Sequence, residues 1–330
     1  MNAQGIDQVA TNALADANTV LATRGRSFYW ARHLLGARHA TRATRLYRFC
    51  RHIDDLADEA TSPASAKQSL DQLQQALIQQ HATDPLVADA LALMHECGID
   101  CAVMLALIQG VESDLEEVRI ADESSLLRYC YQVAGTVGIM MCRVLDVDDD
   151  MALRHAIDLG IAMQLTNICR DVAADAALQR RYLPASLVGD CAPITLLVPG
   201  AETRATVTVA ISRLLAKAEV YYRSGEQGLH YLPAGARAGI LVAARLYRAI
   251  GRRLQQRGHD YWTARTTVGT ATKLGLTLLA LLDLTTARDP RMQTGTRRSA
   301  LQTCQHDALL HVPLAGLPFT VFGGRADHEG

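Results

Sequence analysis

Aromatic residues are scarce in this chain of 330, with 4 Phe, 2 Trp and 10 Tyr making up 5% of the whole. A core short of rings must be filled by Leu, Ala and Val, which suits helix packed on helix. Charge of one sign is lacking too: 33 Lys and Arg stand against 34 Asp and Glu, for a net charge of −1. That balance offers no overall field to nucleic acid, so any anion site has to be local. Proline is sparse at 9, and no long apolar run exists. The most apolar stretch, Leu274 to Leu284, falls short of the roughly 20 residues that a spanning helix needs. The opening MNAQGIDQVATNALADAN carries acids where a secretory signal has a basic start and an apolar run. The expectation is a cytoplasmic protein. Eight cysteines are scattered at 50, 97, 101, 130, 142, 169, 191 and 304, mostly inside apolar helical stretches. Cys97 and Cys101 are four apart, but no second Cys or His pair completes a zinc site, so the thiols read as reduced and structural.

What is present is helical periodicity. Leu70, Leu73 and Leu77 mark one apolar stripe, and Ile240, Ala243, Ala244, Tyr247 and Leu254 mark another, entered after Leu232-Pro233. Ile211, Leu214, Leu215, Ala218 and Tyr222 form a third, which Gly225 is expected to end. Breaks fall near Thr61-Ser62-Pro63, Asp84-Pro85, Gly98, Pro184 to Pro199 and Asp289-Pro290. Alternating strands and internal repeats are not apparent, and the two prolines of Cys191 to Gly200 predict a loop. Asp148-Asp149-Asp150 reads as a surface turn ending a helical stretch. No linker interrupts the chain before Arg288, which predicts one helical domain over residues 1–288 and a tail over 289–330. That tail is polar at first, then apolar and broken by Pro and Gly. Packing back, touching a membrane and staying unstructured are all open to it.

Two acidic segments carry the chemistry. In Tyr47 to Glu59 (YRFCRHIDDLADE) a helix would put Asp54 and Asp58 on one face, with Asp55 and Glu59 as a second pair beside them. So many acids on one helix repel each other unless a cation or basic group sits among them, and carboxylate oxygens suit Mg²⁺. Gln164 to Asp175 repeats the design: Gln164, Asn167, Asp171 and Asp175 cut a polar stripe through Ile, Ala, Leu and Val. Polar groups on a face that turns inward must be bonded to something. One Asp-x-x-x-Asp is ordinarily a solvated face. Two of them, set in apolar sequence and flanked by Arg51 and Arg170, point to a cavity that binds metal ions and a diphosphate.

At these residues the chain resembles the squalene/phytoene synthase family, over about Ala22 to Leu282 and with the motifs in the family's order. Arg26-Ser27-Phe28-Tyr29 resembles an early signature, and Tyr47 to Asp58 the first aspartate-rich helix. Gly110 to Asp114 is similar to a mid-chain Gly-x-x-x-Asp segment, and Tyr129 to Gly138 (YCYQVAGTVG) to a tyrosine-and-glycine helix. Gln164 to Asp175 with the trailing Arg181-Tyr182-Leu183-Pro184 resembles the second aspartate-rich signature. The resemblance implies an all-α, single-domain isoprenoid-synthase bundle around a central cavity. It implies Mg²⁺, with Mn²⁺ able to substitute, on Asp54, Asp58, Asn167, Asp171 and Asp175. Diphosphate would lie on Ser27, Tyr47, Arg51, Gln164, Asn167 and Arg170, with Tyr129 and Tyr247 lining the reacting region. Arg265 would be either a further phosphate contact or an exposed helix arginine. Many relatives have Gly-Glu-Asp where this chain has Ala173-Ala174-Asp175, which puts one secondary contact in doubt.

The implied reaction is Mg²⁺-dependent, head-to-head condensation of two prenyl diphosphates. YRFCRHIDD, YCYQVAGTVG and the Tyr-Leu-Pro tail most resemble bacterial carotenoid enzymes, which implies two geranylgeranyl diphosphates joined to phytoene without NADPH. The alternatives are dehydrosqualene, squalene or presqualene diphosphate from two farnesyl diphosphates, and a non-catalytic scaffold that binds lipid or assembles with other proteins. Peripheral contact with the inner face of the membrane is compatible with such apolar products; oligomeric state stays open.

Overall fold

The structure is a computed structural model that describes residues 34–286 and 306–320. Helices follow one another throughout, and among the described residues the only β-type pairing is an isolated bridge between Arg119 and Arg181. The all-α expectation therefore holds.

Helix α1 spans Ala37–Asp58 and buries Leu46, Phe49 and Ile53 against α2 (Pro63–Ile78), α3 (Pro85–Cys97) and α4 (Cys101–Glu112). The breaks between them are local chemistry. Ser62 and Ser65 cap the start of α2 reciprocally, with Pro63 in its first turn. Asp84 accepts from the Leu86 and Val87 amides at the start of α3. Gly98 ends α3 in the left-handed region, at φ 64°.

Helix α5 (Glu123–Cys130) runs through a π-helical turn, Tyr131–Gly135, into α6 (Thr136–Val144). Helix α7 (Asp150–Ala177) is the axis of the fold, packed by α6, the π turn and, further along the chain, α9 (Pro193–Leu197), α10 (Ala201–Gln227) and α11 (Ala234–Gln256). Being surrounded, it is apolar nearly all round, which makes its polar stripe conspicuous. Gly160 on α7 lies where a Cβ would stand 2.4 Å from the Ala134 carbonyl, and a Cβ on Gly138 would stand 2.3 Å from that of Ala156. These two glycines let α6 and the π turn lie directly on α7. A short α8 (Ala185–Val188) and an outer α12 (Thr270–Thr286) complete the main set. Residues 306–320, with a 3-10 turn over Ala308–Leu314, pack against α5.

Three local expectations need correction. Gly225 does not end its helix; α10 continues to Gln227, and Gly225 is glycine because Leu159 leaves no room for a Cβ, which would come within 2.7 Å. The Asp148 to Asp150 run is exposed, as a surface turn would be, but it opens a helix rather than ending one: Asp149 caps α7 by accepting from Met151 and Ala152. Cys191 to Gly200 holds the short α9 rather than loop alone, because Pro193 sits in the first turn, where a missing N–H costs nothing.

Candidate active site

The two acidic helices meet. A cavity of about 430 Å³ is lined by Arg51, Asp54 and Asp58 of α1 and by Gln164, Asn167, Arg170, Asp171 and Asp175 of α7. Asp114, Tyr129, Arg180 and Tyr182 complete its polar wall. A second, largely apolar chamber of about 390 Å³ is lined by Leu46, Val137, Met141, Leu159 and Met163, and it also holds Tyr47 and Tyr247. Val133, Gln164 and Asn167 line both spaces. The polar cavity thus adjoins an apolar one, and the π turn carries Val133 to the junction.

The charges are unequally satisfied. Asp171 is the best held: Arg265 donates from Nε at 2.7 Å and from a terminal nitrogen at 2.9 Å, and Arg170 also grips it, with Nε at 2.8 Å. Burial works to raise its pKa, but the two guanidinium groups hold it below the ordinary carboxylate range. Asp175, one turn on, is pushed up to about 7 by burial and then by the neighbouring Asp171 charge, with Arg180 opposing. Asp54 is pushed up to about 6 by burial and by Asp58 and Asp55, against the pull of Arg51. Arg51 spends its hydrogen bonds on Asp55, at 2.8 and 2.6 Å, and stands 3.7 Å from Asp54. Asn167 donates to Gln164 at 3.3 Å, which leaves the buried Asn167 Oδ1 with no partner.

Beside them is a tyrosine pair. Tyr129 and Tyr182 stack with ring centroids 4.8 Å apart, and both hydroxyls donate to Asp114, at 2.9 and 2.8 Å. Burial nonetheless raises the Asp114 pKa, and burial raises that of Tyr129 strongly. Arg180 lies 3.7 Å from Asp58. Tyr247 is in the wall of the apolar chamber, its hydroxyl also pushed up by burial.

The residues singled out in the sequence are therefore brought together, with two qualifications. Ser27 lies outside the described residues. Arg265 is not on a helix at all; it sits in the irregular stretch after α11 and reaches back to Asp171. Sequence reasoning gave no role to Asp114, Arg180 or Tyr182. Asp114 closes the Gly-x-x-x-Asp segment and Tyr182 begins Tyr-Leu-Pro, so both motifs carried a signal; Arg180 had none.

The arrangement can hold divalent cations. Two carboxylates whose nearby arginines do not offset their burial, and an orphaned amide oxygen, are hard oxygen donors of the kind Mg²⁺ takes. Arginines at the rim match phosphate oxygens.

Known proteins share this chain's sequence and shape. The 15-cis-phytoene synthase of Paracoccus sp. (strain N81106 / MBIC 01143) is 37% identical, covering 80% of this chain and 88% of the relative. That of Pantoea ananas is 35% identical, covering 83% and 93%. A solved dehydrosqualene synthase with bound ligand superposes with a TM-score of 0.72 at 25% identity, covering 84% of this chain and 98% of the other. The squalene/phytoene synthase family pattern matches residues 21–272, spanning both acidic motifs and the tyrosine helix between them, and the chain belongs to that family.

Proposed function

We propose that this protein joins two molecules of geranylgeranyl diphosphate head to head and releases phytoene. The observation that carries the reading is the pairing of spaces: two Asp-x-x-x-Asp motifs line a polar cavity that shares Val133, Gln164 and Asn167 with an apolar chamber. Relatives 35% and 37% identical that bear the name 15-cis-phytoene synthase support the chain length.

Mg²⁺, or Mn²⁺ in its place, would be held by Asp54, Asp58, Asn167, Asp171 and Asp175, and when bound it supplies positive charge to a departing diphosphate. Arg51, Arg170 and Arg265 add fixed positive charge to the same oxygens, and Tyr47, Gln164 and Asn167 complete the diphosphate cradle, to which the family resemblance adds Ser27. Positive charge placed where negative charge develops lowers the barrier to ionising an allylic C–O bond. The apolar chamber keeps water from the resulting cation until the double bond of the second substrate attacks it. Loss of a proton gives prephytoene diphosphate; a second ionisation, rearrangement and proton loss give phytoene. Each half releases one diphosphate and one proton, so no hydride donor is needed and NADPH is not expected. Tyr129, fixed by Asp114, and Tyr247 present hydroxyls along this path.

No described helix is long and apolar enough to cross a membrane. Peripheral attachment from a cytoplasmic location belongs to the same proposal, since α12 leaves Leu274, Leu278 and Leu282 exposed along one face.

Incubation of the purified protein with Mg²⁺ and geranylgeranyl or farnesyl diphosphate, with and without NADPH, tests the reading by product chromatography. A C40 hydrocarbon without NADPH is the expected result. A C30 product would keep the chemistry and overturn the chain length. Folded protein giving no product would favour the scaffold.

A further inference from the structure

A second group of candidate metal ligands lies away from the mouth. Asp158 is on α7, about 20 Å along the helix axis from Asp171 at the α-helical rise, and it is completely buried. Two imidazoles from the C-terminal segment reach it. His306 Nε2 lies 2.8 Å from one carboxylate oxygen, and His311 Nε2 lies 2.9 Å from the other. Their side chains are 0% and 6% exposed. Ser224 of α10 donates to Asp158, and His155 Nδ1 lies 3.0 Å from the Ser224 hydroxyl.

Three observations point to a ligand. First, a carboxylate taken fully out of water needs positive charge beside it, and its hydrogen-bond partners are imidazoles and a hydroxyl, with no Lys or Arg among them. Second, the ligand atoms of Asp158, His306 and His311 all lie within 4.8 Å of one another. Two Nε2 atoms and one carboxylate oxygen make a three-ligand His₂Asp set, in a place closed to solvent. Imidazole nitrogen favours zinc and its transition-metal neighbours over Mg²⁺. Third, His306 Nδ1 and His155 Nε2 are both buried and unpartnered, on rings 5.3 Å apart. A metal on His306 Nε2 obliges Nδ1 to carry its proton, a donor for which the adjacent His155 ring is the acceptor to turn to once metal binds. Metal-bound histidines ordinarily have such an outer partner.

We propose that Asp158, His306 and His311 form a buried Zn²⁺ site that fastens the segment 306–320 to α7. The site does not depend on the catalytic reading. Its consequence is mechanical. The fastened segment accepts a hydrogen bond from Tyr131 at the Pro318 carbonyl, and from Arg128 at Pro313 and Ala315, at 3.2 and 2.9 Å. Tyr221 of α10 donates to Leu310 at 2.9 Å. The segment therefore braces the π turn that carries Val133 to the junction of the two cavities.

The test uses the full-length protein, stripped by a chelator, reloaded with Zn²⁺, dialysed in excess Mg²⁺ and assayed for metal by mass spectrometry. About one tightly held Zn²⁺ per chain is expected for a single buried site. The Asp54→Asn/Asp171→Asn double variant should keep it, and the His306→Ala/His311→Ala double variant should lose it while retaining wild-type helicity by circular dichroism. Should the histidine variant fail to fold, His311→Cys decides: Co²⁺ loaded into that variant should show a thiolate charge-transfer band. Chelation should also expose the chain near residue 306 to limited proteolysis. Zn²⁺ uptake below stoichiometry in the wild type, equal uptake in a folded histidine double variant, or no thiolate band from His311→Cys would each overturn the proposal and leave a purely hydrogen-bonded clasp.

Discussion

One helix carries two sets of acids, one buried and one half-buried, that are treated in opposite ways. In its first half, Asp158 is met on both carboxylate oxygens from within the chain, by Ser224, His306 and His311. Burial would raise its pKa, but the donating imidazoles hold it down. In the second half, Asp175 is pushed up to about 7, and Asn167 keeps an unpartnered oxygen. A carboxylate whose partners come from its own chain contributes to holding the fold together. One left without them destabilises the fold until something arrives from solution. Burial alone does not distinguish structure from function; the state of the partners does.

The contrast breaks first if removing Asp158 is harmless. Asp158→Ala strands the two imidazoles in the core, and cutting one member out of a buried charged network costs about 3–5 kcal/mol. Urea denaturation followed by circular dichroism should show that loss. Asp175→Asn, by contrast, relieves a carboxylate that the fold holds unwillingly, so its denaturation midpoint should stay level or rise. A variant pair that behaved alike would erase the distinction.

At the mouth the loss should appear in turnover instead. Asp54→Asn and Asp171→Asn each remove a charge that acts where diphosphate departs, and single electrostatic contributions of this kind are worth about 10²–10³ in kcat. The helical circular-dichroism signal should be unchanged. Full activity in either variant would show that these acids are an ordinary charged surface.

Much of this was legible in the sequence, and the exceptions share a cause. Spacing four residues apart is a local property, so Asp54 with Asp58 and Asp171 with Asp175 could be placed on helix faces from the letters alone. The capping residues Ser62 and Asp84 were local too, and the breaks were found. Partnerships across the fold were not. Arg265 reaches Asp171 from an irregular stretch, Arg180 reaches Asp58, and His306 and His311 reach Asp158 from beyond residue 300. Nothing in the neighbourhood of these residues marks them. Gly225 misled for a related reason, since the same glycine serves a helix end or a close contact, and only Leu159 decides which.

Protonation offers a smaller and finer discrimination. With Asp54 near 6 and Asp175 near 7 when folded, against about 4 unfolded, the metal-free native state binds more protons than the unfolded chain between those values. Its stability should therefore fall as pH rises from about 4 to 7. Mg²⁺ should reverse that trend by binding the ionised form. At about 100 times its Kd it contributes roughly 2.7 kcal/mol, on the order of 5 °C in Tm, at pH 8. The gain should be much less at pH 5.5, where both groups are protonated. Differential scanning fluorimetry with and without Mg²⁺ measures this, and the Asp54→Asn/Asp175→Asn double variant should flatten both the slope and the gain. A Mg²⁺ shift independent of pH would mean that these two acids are not the ones exchanging protons for metal.

The smallest effect concerns the acid this chain lacks. Where relatives carry Gly-Glu-Asp, Ala174 stands beside Asp175, and its side chain is exposed to solvent, whereas Asp171 and Asp175 line the cavity. A helix turns about 100° per residue, so the position next to Asp175 points well away from it. Placing a carboxylate there adds a charge in high dielectric, where surface substitutions stay within about 0.5 kcal/mol. Ala174→Glu should thus change kcat/KM by no more than about twofold, since tenfold requires about 1.4 kcal/mol. A large gain would mean that the missing glutamate belongs to the group lining the cavity and that this chain works with an incomplete set. A neutral result would confine the working acids to the aspartates that line the cavity, Asp54, Asp58, Asp114, Asp171 and Asp175, with position 174 left to solvent.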